Sequence, residues 1–266
     1  MEWYIGLLFL IVILAVTFFY FGRDQLYVSH KNLDGKTVLV TGAAKGKGFE
    51  IVLDLAKRNC RIIMTCADKK DGESARQRIV QRTGNTNVVY RELDLSLMSS
   101  VRAFATSFKI TEKKLDILIN NQELCTREKT MTKEGLDLIF AINYFGPYLL
   151  TTLLLGVTVT FVHSGLVQAE LYRDVSWVYL FLQSIITGRY VKTTIEGATT
   201  ILFCALDDSV QTGGYYMNCR LTDQTVWVPK CAYDEGLARK LWEISERLTA
   251  SSDVIGQLRE RLSKGT

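Results

Sequence analysis

The sequence predicts an α/β fold, a doubly wound parallel sheet with helices on both faces, preceded by one apolar membrane-spanning helix. Three observations point there. A short β-branched strand, Thr37–Thr41, runs into a glycine turn and then an amphipathic stretch. Further apolar strands follow at intervals that leave room for a helix between them, the pattern of right-handed βαβ units. Ahead of all this, Trp3 to Gly22 is a run of twenty residues without a charge.

Composition bounds the rest. The 266 residues are 48% hydrophobic, enough for a substantial core, and no Pro/Gly/Ser-rich linker or internal repeat divides them. Two regions are therefore expected, an anchor over 1–24 and one globular domain over 33–266. A net charge of +4, with the basic residues scattered among 28 acidic ones, excludes a nucleic-acid footprint. Six cysteines without a C-x-x-C pair, and only His30 and His163 as imidazoles, exclude a metal site. Cys60 and Cys66 bracket an apolar run and read as buried thiols in a reducing compartment.

The N-terminal run reads WYIGLLFLIVILAVTFFYFG. At about 1.5 Å rise per residue its helix is roughly 30 Å long, the thickness of a bilayer hydrocarbon core. Trp3, Tyr4 and Tyr20 stand near its ends, where amphipathic rings prefer the interface. A cleaved signal peptide fits less well, because a basic leader and a small-x-small site are missing. Glu2 precedes the run while Arg23, Lys31 and Lys36 follow it, so the positive-inside rule leaves the main domain in the cytosol. The expected location is a membrane held through residues 3–22, with the endoplasmic reticulum as one candidate.

The glycine turn, Gly42-Ala-Ala-Lys45-Gly46-Lys47-Gly48, has a mechanical purpose. Gly42 permits a tight turn, Gly46 lets the backbone approach a pyrophosphate, and Gly48 allows helix to pack closely on strand. The N–H groups and positive dipole end of the following helix would then face the phosphates. Cys60 to Cys66 supplies a second strand and Val88 to Arg91 a third, which completes a Rossmann-type unit.

The spacing T-G-x3-G-x-G from Thr41 to Gly48 resembles the short-chain dehydrogenase/reductases, especially their membrane-anchored retinol dehydrogenase-like branch. Asp94-Leu95-Ser resembles the family's DLS. Leu115-Asp-Ile-Leu-Ile-Asn120-Asn121 resembles the fourth strand with its NNAG end. Ile142-Asn143-Tyr-Phe-Gly146-Pro resembles the NHLGHFLLT helix, and Gly156-Val-Thr-Val with His163-Ser-Gly165 resembles GVTVNALHPG. On these matches, over roughly 33–221, the chain is identified as a member. The resemblance implies cofactor contacts at Thr41, Gly42, Lys45, Gly46, Gly48, Asp94, Leu95, Asn120 and Gly165, with the Asp94 side chain at the adenine and Gly165 near the nicotinamide. It makes Asn143 a catalytic residue. The end of the second strand carries Cys66 and Ala67, with Asp68 one step further, so no carboxylate stands where a ribose 2′-OH needs one. With Lys45 facing a 2′-phosphate, the expected cofactor is NADP(H) over NAD.

The chemistry is where the sequence departs from the resemblance. Relatives use a Tyr to move the proton, a Lys four residues on to lower its pKa, and a Ser on the substrate oxygen. One Y-x3-K occurs, Tyr27 to Lys31; it precedes the first strand and reads as coincidence. Leu153-Leu-Leu-Gly156 runs directly into Val157-Thr-Val-Thr-Phe-Val162, so one strand and one helix, roughly fifty residues by the family pattern, are absent at that join. The NNAG end has become Asn120-Asn121-Gln122-Glu123, the Ile of the glycine loop is Lys47, and Ser164 and Ala169 replace a Pro and a Thr. A six-stranded parallel sheet is expected, with Val157–Val162 filling the vacated place beside the fourth strand. Dimerisation through the missing helix is expected to be lost. Glu170 to Thr187, aromatic and apolar, resembles a substrate lid suited to a lipid-like molecule, and Ile195 to Leu206, Gly214 to Asn218 and Glu235 to Leu262 read as helix, strand and helix.

Three functions compete: an NADP-dependent retinol dehydrogenase-like oxidoreductase of apolar alcohols and carbonyls, catalytically impaired as written; a membrane-bound nucleotide-binding pseudoenzyme or interaction protein; and a splice or gene-model fragment of an active relative.

Overall fold

The first strand, β1 (Thr37–Thr41), is buried along its whole length and carries the sheet on both of its edges. In the computed structural model the described residues are 3, 4, 6, 26–126, 128–154, 160–165, 167, 192–222 and 230–250. After β1 come helix α1 (Gly46–Ala56), β2 (Arg61–Cys66), α2 (Lys69–Thr83), β3 (Val88–Glu92), α3 (Met98–Thr111) and β4 (Ile117–Ile119). These four strands are parallel in the order β3-β2-β1-β4. Strands covered on both faces read as continuous apolar runs, which is why TVLVT and RIIMTC show little alternation.

Local signals end the helices where the sheet needs the chain back. Asp68 caps α2 by accepting from the Asp71 N–H, and Gly84 closes it at φ +73, a left-handed conformation that favours glycine. Gly72 within α2 is required by the Tyr90 ring, which a Cβ would meet at 2.1 Å. The Glu134 carboxylate caps α3, accepting from the Met98 and Ser99 N–H groups.

Beyond β4, Leu138–Phe140 forms a helical turn, Ala141–Phe145 a π-helical turn, and Gly146–Leu154 helix α4. The remaining described elements are β5 (Phe161–His163), α5 (Thr194–Leu206), β6 (Tyr215–Met217), β7 (Arg220–Leu221) and α6 (Glu235–Leu248). Helix α5 opens with a capping box between Thr193 and Glu196. Successive strand residues point to opposite faces, so the core has two layers. Val38, Val40, Ile62 and Met64 pack with α1 and α5, while Leu39 and Ile63 pack with α3 and α4.

The expected six-stranded sheet is corrected by this arrangement. Among the described residues the parallel sheet has four strands, and β5 pairs with β6 in a second sheet of order β5-β6-β7. Between β4 and β5 lies a cavity of about 780 Å³, edged by Ile117 and Ile119 on one side and Val162 on the other. Thr151 and Leu154 of α4 and Ile201 and Ala205 of α5 also line it. The reason is one of reach. Neighbouring strands pair at about 4.8 Å, and β5, held to β6, stands on the far side of a cavity from β4, beyond that distance. The earlier part of the expected strand, residues 157–159, lies outside the described residues.

So do most of the anchor run over 3–22 and all of the expected lid over 170–187. Among the described residues no helix is long and apolar enough to cross a membrane.

One buried carboxylate ties the far side of the sheet together. Glu112, at the end of α3, accepts from Arg61 Nε at 2.7 Å and Nη2 at 2.8 Å, and from Arg91 Nη2 at 2.7 Å. The paired Arg61 guanidinium holds its carboxyl below the usual range. A lowered folded-state pKa gives stability that is present above the ordinary carboxylate pKa and lost as pH falls through the folded value. Glu112→Gln is therefore expected to lower unfolding free energy by about 1–3 kcal/mol at pH 7, measured in urea. The gap between wild type and variant should narrow below about pH 4.3, where an ordinary glutamate takes up its proton.

The cavity beside β4 makes a second expectation. Asp116 N–H donates to Thr37 O at 2.9 Å, so by alternation Leu118 also faces β1 while the Ile117 and Ile119 amides face the cavity. Hydrogen exchange followed by NMR should show Ile117 exchanging at least tenfold faster than Leu118. Equal protection of the two would show that edge to be covered.

Candidate functional site

The turn from β1 into α1 is built by close approach. Gly42 has φ +63, and a Cβ on it would meet Gln122 Cα at 2.7 Å. A Cβ on Gly48 would meet the Gly42 carbonyl oxygen at 2.1 Å and Asn121 Nδ2 at 2.6 Å. Gly46, at φ +53, has open space around it and is there for its backbone alone. Asn121 locks the arrangement: its Nδ2 donates to Thr41 O at 3.0 Å and Gly42 O at 3.2 Å. Thr41 Oγ1 accepts in return from the Asn121 and Gln122 N–H groups. The ends of β1 and β4 are thereby knotted, and the first N–H groups of the eleven-residue α1 are left at the mouth of the turn.

That mouth is a cavity of about 310 Å³, lined by the glycine turn, by Cys66, Asp68 and Asp71 beyond β2, and by Asn121 to Glu123. Lys45, the N-cap residue of α1, pairs with Asp71 at 2.7 Å. Burial pushes the Cys66 thiol up, so the end of β2 presents a neutral group. Two buried acceptors among the lining residues, Asn121 Oδ1 and Gln122 Oε1, have no donor. Ribose hydroxyls are donors, and helix-terminal N–H groups bind phosphate oxygens. The residues present thus fit the adenosine and pyrophosphate part of a dinucleotide.

The other expected residues are spread more widely. The Asp94 carboxylate accepts from the Ser96 N–H at 2.8 Å and shapes its own turn, while Leu95 is wholly buried in the core. Asn120 turns the other way from Asn121, donating to Thr151 Oγ1 at 2.9 Å on the cavity beside β4. Asn143 lies in the π-helical turn and lines that same cavity. Its Oδ1 accepts from the Leu124 N–H and its Nδ2 donates to the Leu124 carbonyl, both at 2.8 Å. Gly165 has φ +82, beneath Lys192. Its N–H donates to His163 Nδ1 at 3.0 Å.

The structure also separates Tyr27 and Lys31 from this region. Tyr27 donates to Asp207 and Lys31 to Leu206 O, both at the C-terminal end of α5. Asn121 is the residue that sequence reasoning missed. The Asn-Asn doublet was visible, and strand alternation sends its two side chains to opposite sides, but nothing local says which side holds the glycine turn. The mutual approach of Lys47, Glu123 and Ser164 was missed as well: Lys47 Nζ lies 3.4 Å from Glu123 Oε1 and 3.1 Å from Ser164 Oγ.

Comparison with known proteins identifies the class. The family model described as short chain dehydrogenase matches residues 36–169, and the chain belongs to that family. Within it the chain is retinol dehydrogenase-like. It is 30% identical to dehydrogenase/reductase SDR family member 13 of Homo sapiens, covering 82% of this chain and 74% of that protein. It is also 30% identical to retinol dehydrogenase 11 of Homo sapiens, over 80% of this chain and 85% of the relative. The first of these alignments runs over 285 positions while taking in 82% of 266 residues, so several tens of the relative's positions face gaps here. Among solved structures, an uncharacterized protein from Mycobacterium paratuberculosis matches with a TM-score of 0.61 at 24% identity, over 86% of this chain and 98% of that one. A blue fluorescent protein from a metagenomic library, in complex with NADPH, matches at 0.59 with 16% identity, over 70% and 96%. These last two likenesses show the Rossmann-type fold.

Crowding at the glycine turn is open to test. Gly48→Ala forces a methyl onto the Gly42 carbonyl, whereas Gly46→Ala adds only left-handed backbone strain of about 1–2 kcal/mol. Urea unfolding is expected to rank Gly48→Ala as the more destabilising, by about 1–3 kcal/mol of overpacking. The reverse order would mean that the helix is not seated on the turn as described.

Proposed function

We propose that this chain is a membrane-tethered nucleotide-binding member of the retinol dehydrogenase-like branch whose hydride-transfer chemistry is severely weakened. The observation that carries this is the contrast between two regions. The glycine turn retains the close approaches a pyrophosphate site needs, whereas around Asn143 the described residues supply no Tyr–Lys pair and leave a cavity beside β4.

In this reading residues 1–24 are the anchor and 33–266 the nucleotide-binding domain, facing the cytosol. Gly42, Gly46 and Gly48 and the N-terminal N–H groups of α1 hold the pyrophosphate, with Thr41 keeping the turn in register. Asp94 and Leu95 border the adenine, and Asn120 and Gly165 lie towards the nicotinamide. NADP(H) is favoured over NAD because Lys45 stands at the cavity rim, where a 2′-phosphate would take it from Asp71. When bound, such a cofactor supplies a hydride. Asn143, with both amide ends on Leu124, holds the loop after β4 and offers no acidic proton. The apolar, aromatic segment 170–187 suits a lipid-like molecule, and the dimer made through the absent helix is lost.

General acid catalysis contributes about 10²–10⁴-fold, so its loss predicts turnover lower by that factor. The full chain in detergent, assayed with NADPH and all-trans-retinal beside an active relative, should bind NADPH by calorimetry yet reduce retinal at least a hundredfold more slowly. Turnover at the relative's rate would overturn the impairment, and absent binding would overturn the nucleotide reading.

The strand-wide cavity between β4 and β5 favours one alternative, a segment removed whole from an active relative. Sequencing the transcript across codons 155 to 157 decides it. An uninterrupted join supports the chain as read, and an exon encoding Ser and Tyr-x3-Lys makes it a splice or gene-model fragment.

A further inference from the structure

The cavity at the glycine turn and the cavity beside β4 share four lining residues, Lys47, Asn121, Gln122 and Glu123. Those residues are the wall between them. The direct way from the glycine turn towards Asn143 and Ser164, which line the second cavity, runs past that wall. It is closed by a set of contacts across 76 and 117 residues of chain: Lys47 Nζ to Glu123 Oε1 at 3.4 Å and to Ser164 Oγ at 3.1 Å. The Lys47 side chain is only 9% exposed, against 50% for Glu123.

Three features make this a fixed partition. Lys47 is near the start of α1, so its backbone is held by the seating of Gly48 on the Gly42 carbonyl. Gln122 is seated close on the glycine turn, its Cα 2.7 Å from where a Cβ on Gly42 would stand. Moving Lys47 aside would strip a nearly buried ammonium of its carboxylate and hydroxyl partners, an unfavourable exchange. The three contact positions are also among those at which the sequence departs from the pattern it resembles, an Ile to Lys47, an Ala-Gly to Gln122-Glu123 and a Pro to Ser164. In space these departures are one cluster, each supplying what the others need. What remains open is a cavity of about 310 Å³, at the small end of the roughly 300–1,000 Å³ usual for ligand sites.

We propose that Lys47, Glu123 and Ser164 partition the nucleotide site, so that it holds the adenosine–pyrophosphate part of its ligand and leaves the nicotinamide ribose and ring outside. The ligand class is then an adenine nucleotide diphosphate, with an intact dinucleotide bound no more tightly than its truncated form. This rests on the nucleotide reading proposed above and narrows it. It also separates hydride transfer from nucleotide binding by a second route, independent of the absent Tyr and Lys.

The test compares two ligands that differ only by the nicotinamide ring. The full wild-type chain in detergent is titrated by calorimetry with NADPH and with 2′-phospho-ADP-ribose. The expected result is dissociation constants within threefold of each other, and iodide quenching of bound NADPH fluorescence equal to that of free NADPH. A tenfold preference for NADPH, or a ring shielded from iodide, overturns the partition while leaving the nucleotide reading intact. Failure of both ligands to bind overturns both. Lys47→Ala supplies a further check by opening the wall: bound NADPH fluorescence should become shielded from iodide, whereas quenching still equal to that of free NADPH would overturn Lys47 as part of the partition. The wild-type comparison decides the matter even if that variant fails to fold.

Discussion

The Asn121 side chain, laid across the carbonyls of Thr41 and Gly42, is the contact on which most of this structure depends. It joins the C-terminal ends of β1 and β4 where neither strand can continue its ladder. With Gly48 pressed on the Gly42 carbonyl, it fixes where α1 begins and therefore where its free N–H groups point. Substituting a larger residue for either glycine would push helix from strand, and the cavity beside the turn would go with it. The Oδ1 of the same Asn121 is buried without a donor, in the lining of the cavity at the glycine turn. One side chain is thus both a structural tie and part of the site.

Away from that knot, the described strands divide into two sheets. β4 keeps its pairing to β1, β5 takes its partner from β6, and the place between them stays a cavity under α4 and α5. The cost is borne by backbone groups on the two facing edges, which an inserted strand would pair. The gain is that each half keeps its own helices. α5 packs on α1 and the first layer of the core, so the second sheet is tethered to the first through a helix and not through a strand ladder. Cys204 of α5 lines this cavity with its thiol pushed up by burial to about 12.

Much of the site was legible in the chain because its logic is local. Strand, glycine turn and helix follow one another within about twenty residues, and glycines at tight positions have a steric reason that one dimension can express. Asn143, Asp94 and Gly165 were legible only through resemblance, and the structure gives two of them local duties: Asn143 clamps Leu124 and Asp94 caps its own turn. Leu95 is wholly buried, so only its main chain could border a ligand.

What the sequence by itself determined is the βαβ unit, the parallel β1 to β4 order of elements and the family. These depend on periodicity, on glycine sterics and on ordered motifs. Only the tertiary structure decided which neighbour β5 pairs with, which of two adjacent asparagines faces the glycine turn, and that Lys47, Glu123 and Ser164 meet. Each of these is a choice between partners distant in the chain, settled by packing of helices on a sheet and by the need to pair a buried ammonium. Neither constraint leaves a mark at the positions it joins until the chain has folded.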